Sequence, residues 1–319
     1  MIKQKIVYCF DKKYIFPFSI SLSSLLKYNK NCDVYLLFYK KDQKEVENLI
    51  QKYFLIYKNS IQLISISDNI FENWKESFYV DKWKFTFFIS KAAYLKFLIP
   101  NYIKSEKIIY LDSDTLVQNN ISPLFDLSLD QNSIGGVIDI PGGDTSKIKR
   151  GSSDIYINTG VLLMDLQKIK KNNFLQDINN IYKNFEQDIV WADQCIFNKY
   201  FENDKKILDS KWNKIINTRI VTSNEFKDIT QNNNILHFAG GIKPWQKWCN
   251  PVVFEYYQAL VKEFRIVDFI PDEIKTVDQA LELTSCLDLN KNYAESSKIK
   301  SGIIDSLLKN INVKESLPK

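Results

Sequence analysis

Cysteine is scarce and badly placed for cross-linking. The five, Cys9, Cys32, Cys195, Cys249 and Cys286, are odd in number, far apart and never in Cys-x-x-Cys pairs. That argues against a disulfide framework and a cysteine zinc site, and points to a reducing cytoplasm. No apolar run approaches the roughly 20 residues of a spanning helix. The opening Met1-Ile2-Lys3-Gln4-Lys5 leads straight into a predicted strand instead of a signal peptide. The expected location is therefore cytoplasmic, neither secreted nor transmembrane. Charge of one sign is not concentrated: the net charge is +5 and the lysines are spread along the chain. No nucleic-acid stripe is present, so nucleic acid is not an expected partner. Internal repeats and low-complexity tracts are absent. Histidine is the rarest residue, with His237 alone among 319.

What is there reads as alternating strands and helices. A chain of this length buries roughly 75% of its extended surface, enough for one large domain with an appendage. Apolar patterning predicts strands at 6–10, 33–39 and 61–66, with helices at 19–28 and 43–57 between them, a βαβαβ opening. A helix at 90–99, stopped by Pro100, precedes strands at 107–111, 134–138 and 157–163. A Gly-Gly-Asp-Thr-Ser loop at 142–146, flanked by Lys147, Lys149 and Arg150, is either a closing lid or a plain solvated loop. Helices at 189–201 and 252–264 flank a short strand at 235–238.

The run Ile108-Ile109-Tyr110-Leu111-Asp112-Ser113-Asp114 ends a strand in two carboxylates one residue apart. Open α/β sheets bind ligands at the carboxyl ends of their strands. If the chain turns there, both carboxylates leave the sheet side by side as hard oxygen ligands for Mg²⁺ or Mn²⁺, and an imidazole in the set tilts the choice to Mn²⁺. Two protein carboxylates leave room for phosphate oxygens, so a nucleotide or phosphoester substrate is implied. Two other readings stay open. Asp112 and Asp114 can simply cap a helix at Ser122-Pro123-Leu124-Phe125. Asp112-Ser113-Asp114-Thr115-Leu116 also fits the first motif of haloacid-dehalogenase-type phosphatases, in which the first Asp is the nucleophile. The downstream acidic pair in a Gly-Asp context that such enzymes need is missing, and that reading leaves His237 unexplained.

Around that histidine runs His237-Phe238-Ala239-Gly240-Gly241-Ile242-Lys243-Pro244-Trp245. After an Asp-x-Asp, this string resembles glycosyltransferase family 8, which contains glycogenin and the bacterial lipopolysaccharide α-galactosyl- and α-glucosyltransferases. Tyr156-Ile157-Asn158-Thr159-Gly160-Val161, the pair Asp193-Gln194, the opening Ile6 to Asp11 and the segment Ala93 to Pro100 are similar to family segments as well. The resemblance covers about residues 5 to 265. It implies a single GT-A-type nucleotide-sugar-binding domain over 1–265, a mostly parallel mixed sheet flanked by helices, with a helical extension over 266–319. It implies a retaining transfer of glucose or galactose from UDP-glucose or UDP-galactose to a glycan, lipopolysaccharide-type or other glycolipid acceptor. A catalytically silent UDP-sugar-binding protein is the remaining alternative.

Residue by residue, the resemblance makes Asp112, Asp114 and His237 the ligands of Mn²⁺, with Mg²⁺ as the alternative. Lys243 supplies a compact positive charge to the diphosphate, while Gly240 and Gly241 allow close backbone approach. Pro244 and Trp245 read as packing. Asp139, Asn158, Asp193 and Gln194 surround the hexose, Asp11 meets uracil or ribose, and Lys96 keeps a cation near the acid cluster or diphosphate. Each has a plainer alternative: Asp11 as a turn carboxylate, Asp193 and Gln194 as first-turn helix residues, His237 as a core histidine. Asp193 is the one obvious carboxylate nucleophile for a double displacement, and Gln194 a better electrostatic stabiliser, so a front-face, oxocarbenium-like transfer is expected. Near the end, Ile299, Ile303, Ile304, Leu307, Leu308 and Ile311 recur at helical spacing over 298–312. That helix either packs on the catalytic domain or a second subunit, or makes peripheral contact with an anionic membrane face. Trp74, Phe78, Tyr79 and Trp83 line an acceptor cleft or serve as packing.

Overall fold

A computed structural model gives the fold and describes residues 3–80, 85–139, 155–170 and 173–315. The loop at 142–146 and Trp83 lie outside the described residues, as do the side chains of Phe78 and Tyr79. The strands are β1 (Gln4–Cys9), β2 (Cys32–Tyr39), β3 (Ile61–Ile66), β4 (Ser77–Val80), β5 (Phe85–Phe88), β6 (Lys107–Leu111), β7 (Thr115–Val117), β8 (Ile134–Ile138), β9 (Ile157–Asp165), β10 (Lys205–Ile207), β11 (Lys214–Ile215) and β12 (Ile235–His237). Seven form one sheet in the order β10-β8-β9-β6-β1-β2-β3. Within it β9 alone runs against its neighbours β6 and β8, and the remaining pairings are parallel.

Helices on both faces explain the composition of the strands. Along β1 the side chains alternate between two cores: Ile6 and Tyr8 join one cluster, Val7 and Cys9 the other. Both faces are dry, so the strand reads as a continuous apolar run where a one-sided sheet would alternate. Helices Ile15–Tyr28 and Gln43–Tyr53 supply one core through residues such as Phe18, Leu22 and Val46. Segments Lys91–Leu98, Phe174–Phe185 and Ala192–Tyr200 supply the other through Tyr94, Ile178 and Phe197. Each such buried side chain contributes about 1.5–3 kcal/mol of transfer free energy. Trp74 stacks on Tyr182 at 3.9 Å between ring centroids and joins this second core, which accounts for it as packing.

Several elements differ from the sequence prediction. Pro100 does not end a helix: Lys91–Leu98 winds as 3-10 turns, and Pro100 sits in the first turn of a short helix, Ile99–Tyr102. A first-turn N–H has no intrahelical partner, so proline's missing donor is tolerated there. The first helix begins at Ile15, the second stops at Tyr53, and the helix predicted at 189–201 runs only over Ala192–Tyr200. The short helix Ser122–Asp126 has Ile121 at its cap position with no side-chain cap. Asp112 and Asp114 are therefore not its caps.

Packing divides the chain into two compact units, residues 1–215 with 233–237, and residues 216–232 with 238–319. This division does not coincide with the boundary at 265. His237 ends β12 inside the first unit because β12 pairs with β7, while the segments beyond it pack among themselves. In the second unit the helix Tyr293–Glu315 meets Val277–Leu289: Ser296 is buried and its hydroxyl donates to Thr284 O at 3.4 Å, and Lys300 pairs with Asp288 at 2.7 Å. Ile299 and Ile303 are half-buried and Ile304 is exposed, while the side chains of Leu307, Leu308 and Ile311 lie outside the described residues. Among the described residues, no helix is long and apolar enough to cross a membrane.

Candidate active site

The Asp-x-Asp lies where the chain leaves one sheet for another. β6 ends at Leu111, paired with Tyr8 of β1 and Val161 of β9. Asp112 extends that ladder by one bond, its N–H donating to Gly160 O at 2.7 Å. The chain then turns: the backbone N–H and hydroxyl of Thr115 both donate to Asp112 O, at 3.1 and 2.7 Å. After the turn, β7 joins a three-stranded sheet with β12 and β11, and the antiparallel register sets Thr115 opposite His237. Two residues far apart in sequence thus meet through strand pairing. His237 Nε2 lies 3.3 Å from Asp114 Oδ1 and 3.8 Å from Asp112 Oδ2. One ligand atom from each of the three falls within 4.8 Å of the others.

A tight backbone makes room for the imidazole. His237 is only 3% exposed. A Cβ on Gly160 would stand 2.1 Å from His237 Cε1, so no other residue fits at 160 without displacing the ring. On the far side of the ring Nδ1 meets Asn213 Oδ1 at 3.0 Å. Asn213 Nδ2 donates to Asn158 Oδ1 at 2.9 Å, and Asn158 Nδ2 donates to Gln194 Oε1 at 3.1 Å. Gln194 Nε2 completes the chain by donating to Asp139 Oδ2 at 2.9 Å. Four predicted site residues, His237, Asn158, Gln194 and Asp139, are thus linked through Asn213, which sequence reasoning missed.

A second acid cluster shares Asp112. Lys96 is 2% exposed, and its ammonium lies 2.6 Å from Asp193 Oδ2 and 3.5 Å from Asp112 Oδ1. Burial alone would lower the Lys96 pKa, but Asp112 and Asp193 outweigh it and hold the lysine protonated. Burial pushes the Asp193 carboxyl above its usual range, with Lys96 pulling it back. Thr159 Oγ1 donates to the same Asp193 oxygen at 2.9 Å. Tyr110 donates its hydroxyl to Asp112 Oδ1 at 2.5 Å. Asp193 and Gln194 stand in the first turn of the helix Ala192–Tyr200, after a buried Ala192 at φ 41°. A non-glycine residue in that left-handed region costs about 1–3 kcal/mol, a strain that often marks functional sites.

The donor set fits a divalent cation. Two carboxylates face one side of an imidazole, and hard oxygen with nitrogen is the ligand chemistry of Mg²⁺ or Mn²⁺. Residues 5–249 match the sequence profile of Glycosyl transferase family 8. The chain belongs to that family. Relatives include glycosyltransferase GlyF of Streptococcus pneumoniae, 27% identical over 77% of this chain, of which the match spans 58%. The lipopolysaccharide 1,3-galactosyltransferase of Salmonella typhimurium is 24% identical, over 80% of this chain and 77% of its own. Galactosyltransferase LgtC, solved with donor and acceptor sugar analogs, shares the fold at a TM-score of 0.66 and 21% identity, covering 82% of this chain and 96% of that one.

Two further predicted contacts of this family 8 chain sit in its second unit. Gly240 adopts φ 102°, a conformation side-chain-bearing residues rarely take, so glycine there is a backbone requirement. Lys243 donates to Phe238 O at 2.9 Å, and Trp245 packs against Tyr257 with ring centroids 5.8 Å apart. In the first unit, Asp11 caps the turn Lys12–Tyr14 by accepting from the Lys13 N–H at 2.9 Å, and its other oxygen accepts from the Ser90 hydroxyl.

Proposed function

We propose that this chain is a Mn²⁺-dependent, retaining hexosyltransferase that moves glucose or galactose from its UDP-sugar to a glycan or glycolipid acceptor. The observation that carries the reading is the triad Asp112, Asp114 and His237, in which an imidazole nitrogen and two carboxylates converge, with Nε2 3.3 Å from Asp114 Oδ1. A divalent ion held there would neutralise the charge that develops on a departing diphosphate. The family resemblance assigns Lys243 the role of a compact positive charge for a diphosphate. The same resemblance assigns Asn158, Gln194 and Asp139 to the sugar, and amide and carboxylate groups have the chemistry to bind its hydroxyls.

Asp193 is poorly suited to attack carbon. Its Oδ2 is committed to Lys96 at 2.6 Å and to Thr159 at 2.9 Å, and a carboxylate so neutralised is a weak nucleophile. That favours front-face transfer: the bond from the anomeric carbon to phosphate breaks with its electron pair leaving on UDP, the acceptor oxygen bonds to the same face, and the acceptor's proton passes to the departing phosphate. Gln194 then acts as a dipole beside the oxocarbenium-like centre.

A panel of nucleotide sugars, scored for free nucleotide with Mn²⁺ or with EDTA in the wild type and in Asp114→Asn, tests the proposal. The expected result is release from a UDP-hexose that needs both the metal and Asp114. Release independent of both overturns it. Binding without release indicates a silent binder, and phosphate release from phosphoesters without UDP-sugar turnover indicates a phosphatase.

A further inference from the structure

The chain of amides behind His237 has only one consistent set of orientations. Backbone N–H groups can only donate, so the atoms they meet must be acceptors. The Gly160 N–H meets Asn158 Oδ1 at 2.9 Å, and the Thr159 N–H meets Gln194 Oε1 at 3.2 Å. Those two bonds fix which end of each amide is oxygen. With its oxygen pinned, Asn158 receives Asn213 Nδ2 at 2.9 Å, so Asn213 presents its nitrogen to Asn158 and its oxygen to His237. An oxygen 3.0 Å from Nδ1 requires Nδ1 to carry a hydrogen. In the neutral imidazole Nε2 then keeps its lone pair, and Nε2 is the nitrogen facing Asp112 and Asp114.

We infer that Asn213 is a positioning residue: its amide selects the His237 tautomer that leaves Nε2 free for a metal, and through Asn158 it ties that choice to the orientation of the Gln194 amide. Buried second-layer partners commonly act in this way on metal-bound histidines. Asn213 is 1% exposed, so water does not replace its oxygen at Nδ1. The inference rests on the metal-ligand reading of His237 only for its consequence, since the tautomer itself is a property of the metal-free protein.

His237 is the sole histidine, so nitrogen NMR of the full chain, labelled with ¹⁵N, freed of metal and followed across a pH series, reports one ring. The neutral ring of the wild type is expected to show a protonated Nδ1 and an unprotonated Nε2; a neutral ring with its proton on Nε2 overturns the inference without any variant. In Asn213→Ala the ring is expected to redistribute between tautomers, the Gln194 side-chain amide resonances to shift, and Mn²⁺ affinity to fall roughly 10–100-fold. Asn213→Asp keeps an oxygen for Nδ1 and is expected to retain the wild-type tautomer and bind Mn²⁺ within a few-fold of wild type. An unchanged tautomer in Asn213→Ala refutes the positioning role. Mn²⁺ binding by Asp114→Asn equal to wild type would instead refute the ligand reading and leave the tautomer result standing.

Discussion

Asp112 belongs to two neighbouring clusters built from different chemistry. On the Lys96 side the protein provides its own cation: the ammonium contacts Asp193 at 2.6 Å and Asp112 at 3.5 Å in a site 2% exposed on the lysine. On the His237 side the same Asp112 and Asp114 face a ring nitrogen that, in the tautomer Asn213 selects, is an acceptor too. A buried acid with an internal counter-ion is structurally complete, because its charge is already compensated. Two carboxylates beside an imidazole lone pair instead form a donor set of hard oxygen and nitrogen that suits a divalent cation. The contrast separates Asp193 from Asp114, which composition and spacing alone present as similar carboxylates.

The largest expected effect breaks the compensated side. Lys96→Met leaves Asp193 buried without its partner and is expected to cost about 3–5 kcal/mol in denaturant unfolding. The pH signs follow from the directions of the shifts. Lys96 is held above its ordinary 10.5, so its contribution is complete below that pH and is lost as pH rises through the raised value, an alkaline loss absent in the variant. Asp193 is raised from 3.8, so Lys96→Met should regain stability on acidification as Asp193 takes up a proton. Adding Asp193→Asn to Lys96→Met should recover most of the loss at neutral pH; a double variant as unstable as the single would show that the pair is not the source.

Next comes the His237 side. Asp114→Asn is expected to weaken Mn²⁺ binding by at least roughly 100-fold, the upper range for losing a mere supporting partner, while leaving the urea midpoint close to wild type. Titration of Mn²⁺ by electron paramagnetic resonance reads the first quantity. Gly160→Ala should follow, since a methyl 2.1 Å from His237 Cε1 forces the ring aside; the expected cost is about 1–3 kcal/mol together with weaker metal binding. The smallest effect is that of Tyr110→Phe, which removes the donor to Asp112 Oδ1 and should lower stability by about 1 kcal/mol. A larger change there would mean that Asp112 depends on Tyr110 more than on Lys96.

Much of the framework was legible before any coordinates. Strands β3, β6 and β8 fall at their predicted residues because each is a short segment rich in isoleucine, leucine or valine and bounded by polar or turn residues. The short pieces β7, β10 and β11, two or three residues each, carry no period of their own and escape pattern reading. One of them, β7, is what brings the Asp-x-Asp to His237. Asn213 is silent for a similar reason: it follows a 3-10 turn, Ser210–Trp212, and its identity matters only through partners 24 and 55 residues away in sequence.

The sequence by itself determined the family, the mostly parallel sheet and the identity of the three ligand candidates, because motif chemistry and apolar runs are written locally. Only the tertiary structure decided that Lys96 pairs with Asp193 and which nitrogen of His237 faces the Asp-x-Asp carboxylates. Those outcomes depend on a lysine, an asparagine and a glycine that strand register and burial bring within bonding distance, and no local pattern encodes a distance across the fold.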